Sequence, residues 1–82
     1  MNPRLPQNPQ AQRSLGKAIR ELRHKKGASL EMLASEAGIT RNMLSLIERG
    51  QGNPSWVTVR GIASALDMSV SELAKAAERL ES

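Results

Sequence analysis

Residues 30–50, LEMLASEAGITRNMLSLIERG, carry two short helical patterns that meet at Gly38 with almost no loop between them. Leu30, Leu33, Ala34 and Ala37 recur at i, i+3, i+4 and i+7, one apolar stripe along a helix. Ile39, Leu44 and Ile47 supply the inward residues of the next helix, and Gly50 stands just past its end as a stop. Two helices that cross at a wide angle through so short a turn need a small residue where they approach, which Ala34 provides. They also need a residue tolerant of positive φ, which is Gly38, and an apolar plug after it, which is Ile39. All three occur at mutually consistent spacing.

That combination is the helix-turn-helix pattern, in which the second helix characteristically enters the DNA major groove. The apolar positions would form a core in any small helical bundle. The functional expectation rests instead on the tight Ala-Gly turn and on what the second helix shows to solvent.

Outward from this stretch the rest of the chain reads as helix. Residues 1–10, MNPRLPQNPQ, hold three prolines and no apolar period, and are expected to form a flexible arm preceding a domain over residues 11–82. Helix 1 is expected from Ala11 to Lys26, with Leu15, Ala18, Ile19 and Leu22 inward, Arg13, Lys17, Arg20 and His24 on another face, and Gly27 as terminator. Ser29 reads as the N-cap of helix 2 over Leu30–Ala37, and Thr40 as the cap of helix 3 over Arg41–Arg49. Gly50-Gln-Gly-Asn-Pro is a loop, and Pro54 and Ser55 open helix 4, which reaches Leu66. Ser69-Val-Ser-Glu72 is a capping box that starts helix 5, expected to run to Leu80. The fold class is therefore all-α, with five short helices and no strand signal.

Bulk properties narrow the function. Eighty-two residues make one small domain that buries only about 60% of its unfolded surface. The absence of cysteine excludes disulfides and thiolate metal sites. Neither a membrane span nor a secretory signal is visible, so a cytoplasmic location is expected. The net charge of +4 is unevenly spread, at +6 over residues 1–27 and −2 over residues 28–82. Such asymmetry suits a polyanion partner on one side of the molecule.

The stretch GASLEMLASEAGITRNMLSLIERGQGNPSWVTVRGIASAL, residues 27–66, resembles the DNA-binding domain of the Cro and phage-repressor helix-turn-helix family, also called the XRE type. The resemblance spans about Leu15 to Leu73. Its most specific pieces are Ala-Gly-Ile-Thr at the turn, Ile47-Glu-Arg-Gly50 after helix 3, and Asn53-Pro-Ser before helix 4. It implies a compact five-helix, lambda-repressor-like domain that binds a (pseudo)palindromic operator as a homodimer to regulate transcription. Small members of the family include restriction-modification controllers and phage-type repressors.

With Leu44 and Ile47 inward, the outward face of helix 3 presents Arg41, Asn42, Ser45 and Leu46 as candidate base readers. Arg can donate two hydrogen bonds to guanine O6 and N7, Asn can read adenine N6 and N7, and a leucine can only pack on a thymine methyl. The family often carries a long polar residue where Leu46 stands, and usually a glutamine where this chain has Leu30. Met43 reads as a gap-filler. Phosphate contacts are expected from Ser29, Thr40 and Arg49 and from amides opening helices 2 and 3, with Arg13 and Lys17 adding attraction. Arg23 and Glu48 lie on matching edges of helices 1 and 3, and the family pattern implies a partly buried ion pair between them; unrelated surface charges are the alternative. Trp56, the sole aromatic, reads as core, and Asn53 as either a helix cap or a DNA contact.

An enzyme is hard to build from one His, one Asp and no Cys, so neither catalysis, a metal, a cofactor nor a small-molecule ligand is expected. Val70, Leu73, Ala74, Ala77 and Leu80 form an apolar stripe on helix 5, taken as the dimer interface. The rival reading, an antitoxin or anti-repressor holding a partner protein, would use the same stripe.

Overall fold

The computed structural model describes residues 8–81 as five helices: α1 (Pro9–Lys26), α2 (Leu30–Ala37), α3 (Arg41–Glu48), α4 (Trp56–Ala65) and α5 (Val70–Arg79). No strand occurs among the described residues. Each helix contributes one large, fully buried aliphatic side chain to a common centre: Ile19, Leu33, Leu44, Ile62 and Leu73. Around them α1 packs on α5 and α3, α2 on α4 and α3, and α4 on α5.

The helix ends follow local chemistry. Ser29, Thr40, Ser55 and Ser69 each accept a hydrogen bond from a backbone N–H in the first turn, satisfying a donor the helix cannot. At the end of α2, Gly38 has φ +76 and the Ile39 N–H returns to the Ala34 carbonyl at 3.0 Å, a Schellman turn that points the chain into α3. The same return closes α4, where Met68 N–H reaches Ala63 O at 3.0 Å, but there the left-handed residue is Asp67 at φ +61. A short polar side chain tolerates that region better than a branched one.

Two contacts set the helix spacing. A Cβ on Gly16 would lie 2.2 Å from the Ile47 carbonyl oxygen, and one on Gly61 would lie 2.6 Å from that of Ala37. These glycines let α1 meet the end of α3, and α4 meet the end of α2, backbone to side-chain-free backbone.

Three expectations need correction. α1 begins at Pro9, not Ala11, because Asn8 caps it and Pro9 takes the first-turn position where a missing N–H does no harm. The expected arm therefore overlaps the helix at residues 9 and 10, and its residues 1–7 lie outside the described part. On α5, Leu73 and Ala77 are buried in the domain's own core, with Val70 and Leu80 packed against its edge. The stripe taken for a dimer interface is consumed by packing on α1, which leaves only Ala74 of the five exposed. The same packing removes the stripe from the partner-binding rival. Trp56 is not core either: it opens α4 with 63% of its surface exposed.

Candidate nucleic-acid interface

The recognition face is built on a clamp. Arg23, on α1, is buried and makes a two-pronged contact with Glu48 at the end of α3: Nε donates to Oε2 at 2.7 Å and Nη2 to Oε1 at 3.0 Å. Its Nη1 donates to the Ala28 carbonyl at 3.0 Å, in the turn before α2. The Glu48 hydrogen bond raises the Arg23 pKa above its ordinary value despite desolvation, so the fork stays charged. One guanidinium thus fastens α1, the α1–α2 turn and the last residue of α3.

On the other side of α3 the chain is open. Arg41, Asn42 and Met43 form an exposed first turn, and Leu46 one turn on is exposed as well. Ser45 is half-buried. Met43 fills no gap in the core, since 44% of its surface is exposed; with Leu46 it adds apolar surface to the exposed side of α3 beside Arg41 and Asn42. Arg41 Nε donates to Glu31 Oε2 at 3.0 Å, an exposed pair bridging α3 to α2. Its terminal nitrogens remain available for the two parallel hydrogen bonds a guanine edge accepts. An exposed pair of this kind contributes little stability, so it can orient the side chain without locking it. Glu31 was not visible as a site residue because the contact spans ten positions across the turn.

Around this face lie the phosphate candidates. Ser29 and Thr40 accept from Met32 N and Met43 N, both at 3.1 Å. A hydroxyl that accepts in this way keeps its own proton to donate outward. Arg49 is exposed just past α3, its Nε donating to the Ser45 carbonyl at 3.4 Å. Arg13 and Lys17 are exposed on α1. Gly50 fits directly against the Arg13 backbone, where a Cβ would sit 2.9 Å from Arg13 Cα, so Arg13 is held beside the end of α3. Gln12, unremarked in the sequence, donates from Nε2 to the Gly52 carbonyl at 3.0 Å and ties the α3–α4 loop to α1. Ser55, not Asn53, caps α4, which leaves Asn53 exposed on that loop.

The chain matches the model of the helix-turn-helix domain over residues 14–76. It is 42% identical over 60 residues to the HTH-type transcriptional regulator SinR of Bacillus subtilis, a match covering 72% of this chain and 54% of that protein. The chain therefore spans about half the length of the curated relatives it matches first. Among solved structures, the restriction-modification controller protein C.AhdI from Aeromonas hydrophila superposes with a TM-score of 0.74 at 42% identity, covering 76% of this chain and 94% of that one. SinR, the master regulator for biofilm formation, solved in complex with DNA, superposes with a TM-score of 0.67 at 42% identity over 72% of this chain and 95% of that one.

Proposed function

Because this chain belongs to the helix-turn-helix family of the Cro and phage-repressor (XRE) type, we propose that it is a transcriptional regulator that binds operator DNA in a sequence-specific manner. The observation that carries this reading is the exposed first turn of α3, where Arg41, held only by an exposed pair with Glu31, and Asn42 face solvent on a helix clamped from behind by Arg23 and Glu48. A rigid helix with purine-reading side chains on one face and core on the other is the device that major-groove recognition requires. The likeness to a DNA-bound relative supports the same docking.

In this reading Arg41 and Asn42 read base edges, Ser45 reaches a further one, and Leu46 and Met43 pack on thymine methyls. The Ser29 and Thr40 hydroxyls, Arg49 and the first amides of α2 and α3 hold phosphates. Arg13, Lys17 and Arg4 of the preceding segment add electrostatic attraction. The protein acts as a homodimer on two half-sites about one helical turn, roughly 34 Å, apart. No element of the reading needs a cofactor.

Selection of bound sequences from a random DNA pool tests it. The expected result is an enriched inverted repeat with a purine-containing half-site. Recovery of an unenriched pool, with affinity equal for every duplex, would overturn the proposal.

A further inference from the structure

The basic side chains around α3 are not held alike. Arg13 and Lys17 stand exposed on α1, and Arg49 donates from Nε to a carbonyl of its own helix, Ser45 O at 3.4 Å. Arg41 differs, because its hydrogen bond goes to a carboxylate of another helix, from Nε to Oε2 of Glu31 at 3.0 Å. Neither side chain joins the core, Arg41 being 55% and Glu31 68% exposed. Leu30, one position earlier, packs on the core, and Leu33 and Ala34 are buried in it. The inner face of α2 is thus taken by those residues, and Glu31 is left outward within reach of the first turn of α3.

Stability does not account for the pair, because an exposed ion pair contributes little. Its geometry bears on recognition instead. A guanidinium offers two forked edges, one of Nε with Nη2 and one of Nη1 with Nη2. Glu31 takes Nε out of the first edge and leaves the terminal edge for the paired acceptors of a guanine. The carboxylate also stands in the first turn of α2, whose Ser29 cap is one of the phosphate candidates. A negative charge there opposes a neighbouring phosphate, and pairing with it draws the Arg41 charge away from the DNA backbone. A second guanidinium feels the same charge: the Glu48 hydrogen bond chiefly raises the Arg23 pKa, and Glu31 adds to it.

We propose that Glu31 is a specificity-determining residue, which aims Arg41 at a base edge and withholds it from phosphate. The inference rests on the reading of Arg41 as a base contact. It goes further by assigning the aim of that contact to a positioning residue on the other helix of the motif.

The test uses the full chain, the duplex enriched from the random pool, its single-base variants and a scrambled duplex of equal length. Glu31→Ala should leave the urea midpoint nearly unchanged and bind the scrambled duplex more tightly. Its slope of log affinity against log salt should steepen by about one, as the released Arg41 takes a phosphate. Discrimination at the base pair that Arg41→Ala identifies should fall about two- to tenfold, the cost of ordering one long side chain on binding. Glu31→Gln keeps an acceptor for Nε without the charge. It should retain more discrimination than Glu31→Ala while sharing its tighter binding to the scrambled duplex. In an Arg41→Ala background, removing Glu31 should change nothing further at that base pair. Discrimination that survives Glu31→Ala but not Arg41→Ala overturns the positioning role and leaves the base reading standing. Independent losses from the two changes would mean that Glu31 contacts a base itself, which also overturns it. A parallel loss on every duplex for Arg41→Ala removes the base reading, and this inference with it.

Discussion

The two sides of α3 differ in how firmly they are held. Towards α1, the helix meets a glycine with no room for a methyl group and a buried guanidinium gripping Glu48 in two places. Towards solvent, its first turn has one side-chain ion pair, Arg41 with Glu31, with both side chains more than half exposed. The inner side permits one position of the helix. The outer side leaves its side chains free to meet whatever the groove offers. Rigidity behind and freedom in front let a helix be placed first and matched afterwards.

The comparison can be broken most severely at Gly16. Gly16→Val would press side-chain carbons into the Ile47 and Glu48 carbonyls, and a backbone obstacle cannot rotate away. Overpacking usually costs about 1–3 kcal/mol; here about 4 kcal/mol is expected, read as a fall in the urea midpoint at constant slope. If Gly16→Val unfolds at the wild-type midpoint, the close crossing is absent in solution.

Arg23→Ala comes next, with an expected loss of about 3 kcal/mol because Glu48 would be left buried without its partner. The double variant with Glu48→Ala should lose less than the sum of the two single changes. Additive losses in that cycle would show two uncoupled side chains.

Changes on the outer side should leave stability alone and move specificity instead. Arg41→Ala and Asn42→Ala should each reduce discrimination at one operator position by about 1–3 kcal/mol, measured as affinities for single-base variants at fixed salt. A parallel loss for every sequence would reassign both residues to phosphate. Arg49→Ala should show that parallel behaviour, losing about 1 kcal/mol on all duplexes and lowering the slope of log affinity against log salt by about one. An unchanged slope would place Arg49 away from the backbone.

The smallest effect belongs to the capping box of α5, remote from both sides of α3. Ser69→Ala should cost about 0.5–1 kcal/mol. The Ser69 backbone N–H, and next its hydroxyl, hold the Glu72 carboxyl below its ordinary value. The folded state then binds the proton less readily than the unfolded chain. The stabilisation is therefore complete above the ordinary glutamate range and fades as pH falls through the lowered folded value. Glu72→Gln should flatten that acid limb of the stability profile. A wild-type profile already flat in that range would remove the box from solution.

Much of this was legible because it is written within a few residues. Ser29, Gly38, Thr40 and the stripe between them delimit α2 without reference to anything distant, and the structure ends α2 where those residues say. Arg23 and Glu48 could be set on matching helix edges by counting. What escaped was decided by which helices touch. Gly16 and Gly61 look like weak points inside helices until their backbone neighbours are known. The α5 stripe looked surplus because its demand comes from α1, sixty positions away. Trp56 looked like core because large apolar side chains usually are, but it stands in the first turn of α4, outside the five-helix centre. Asn8-Pro9 was the one local signal misread, with proline taken as a breaker where it begins a helix.

The Arg23 fork also limits how the domain can adapt to its target. Because the guanidinium joins α1, the α1–α2 turn and α3, the recognition helix cannot swivel without turning the whole domain. One base pair inserted between two half-sites rotates one relative to the other by about 35°. In the proposed homodimer, with α3 unable to take up that angle, the twist would have to be absorbed by the DNA or by the contact between protomers. The operator's spacer length would then be measured by the joint between the subunits, and its base sequence by the helix they carry.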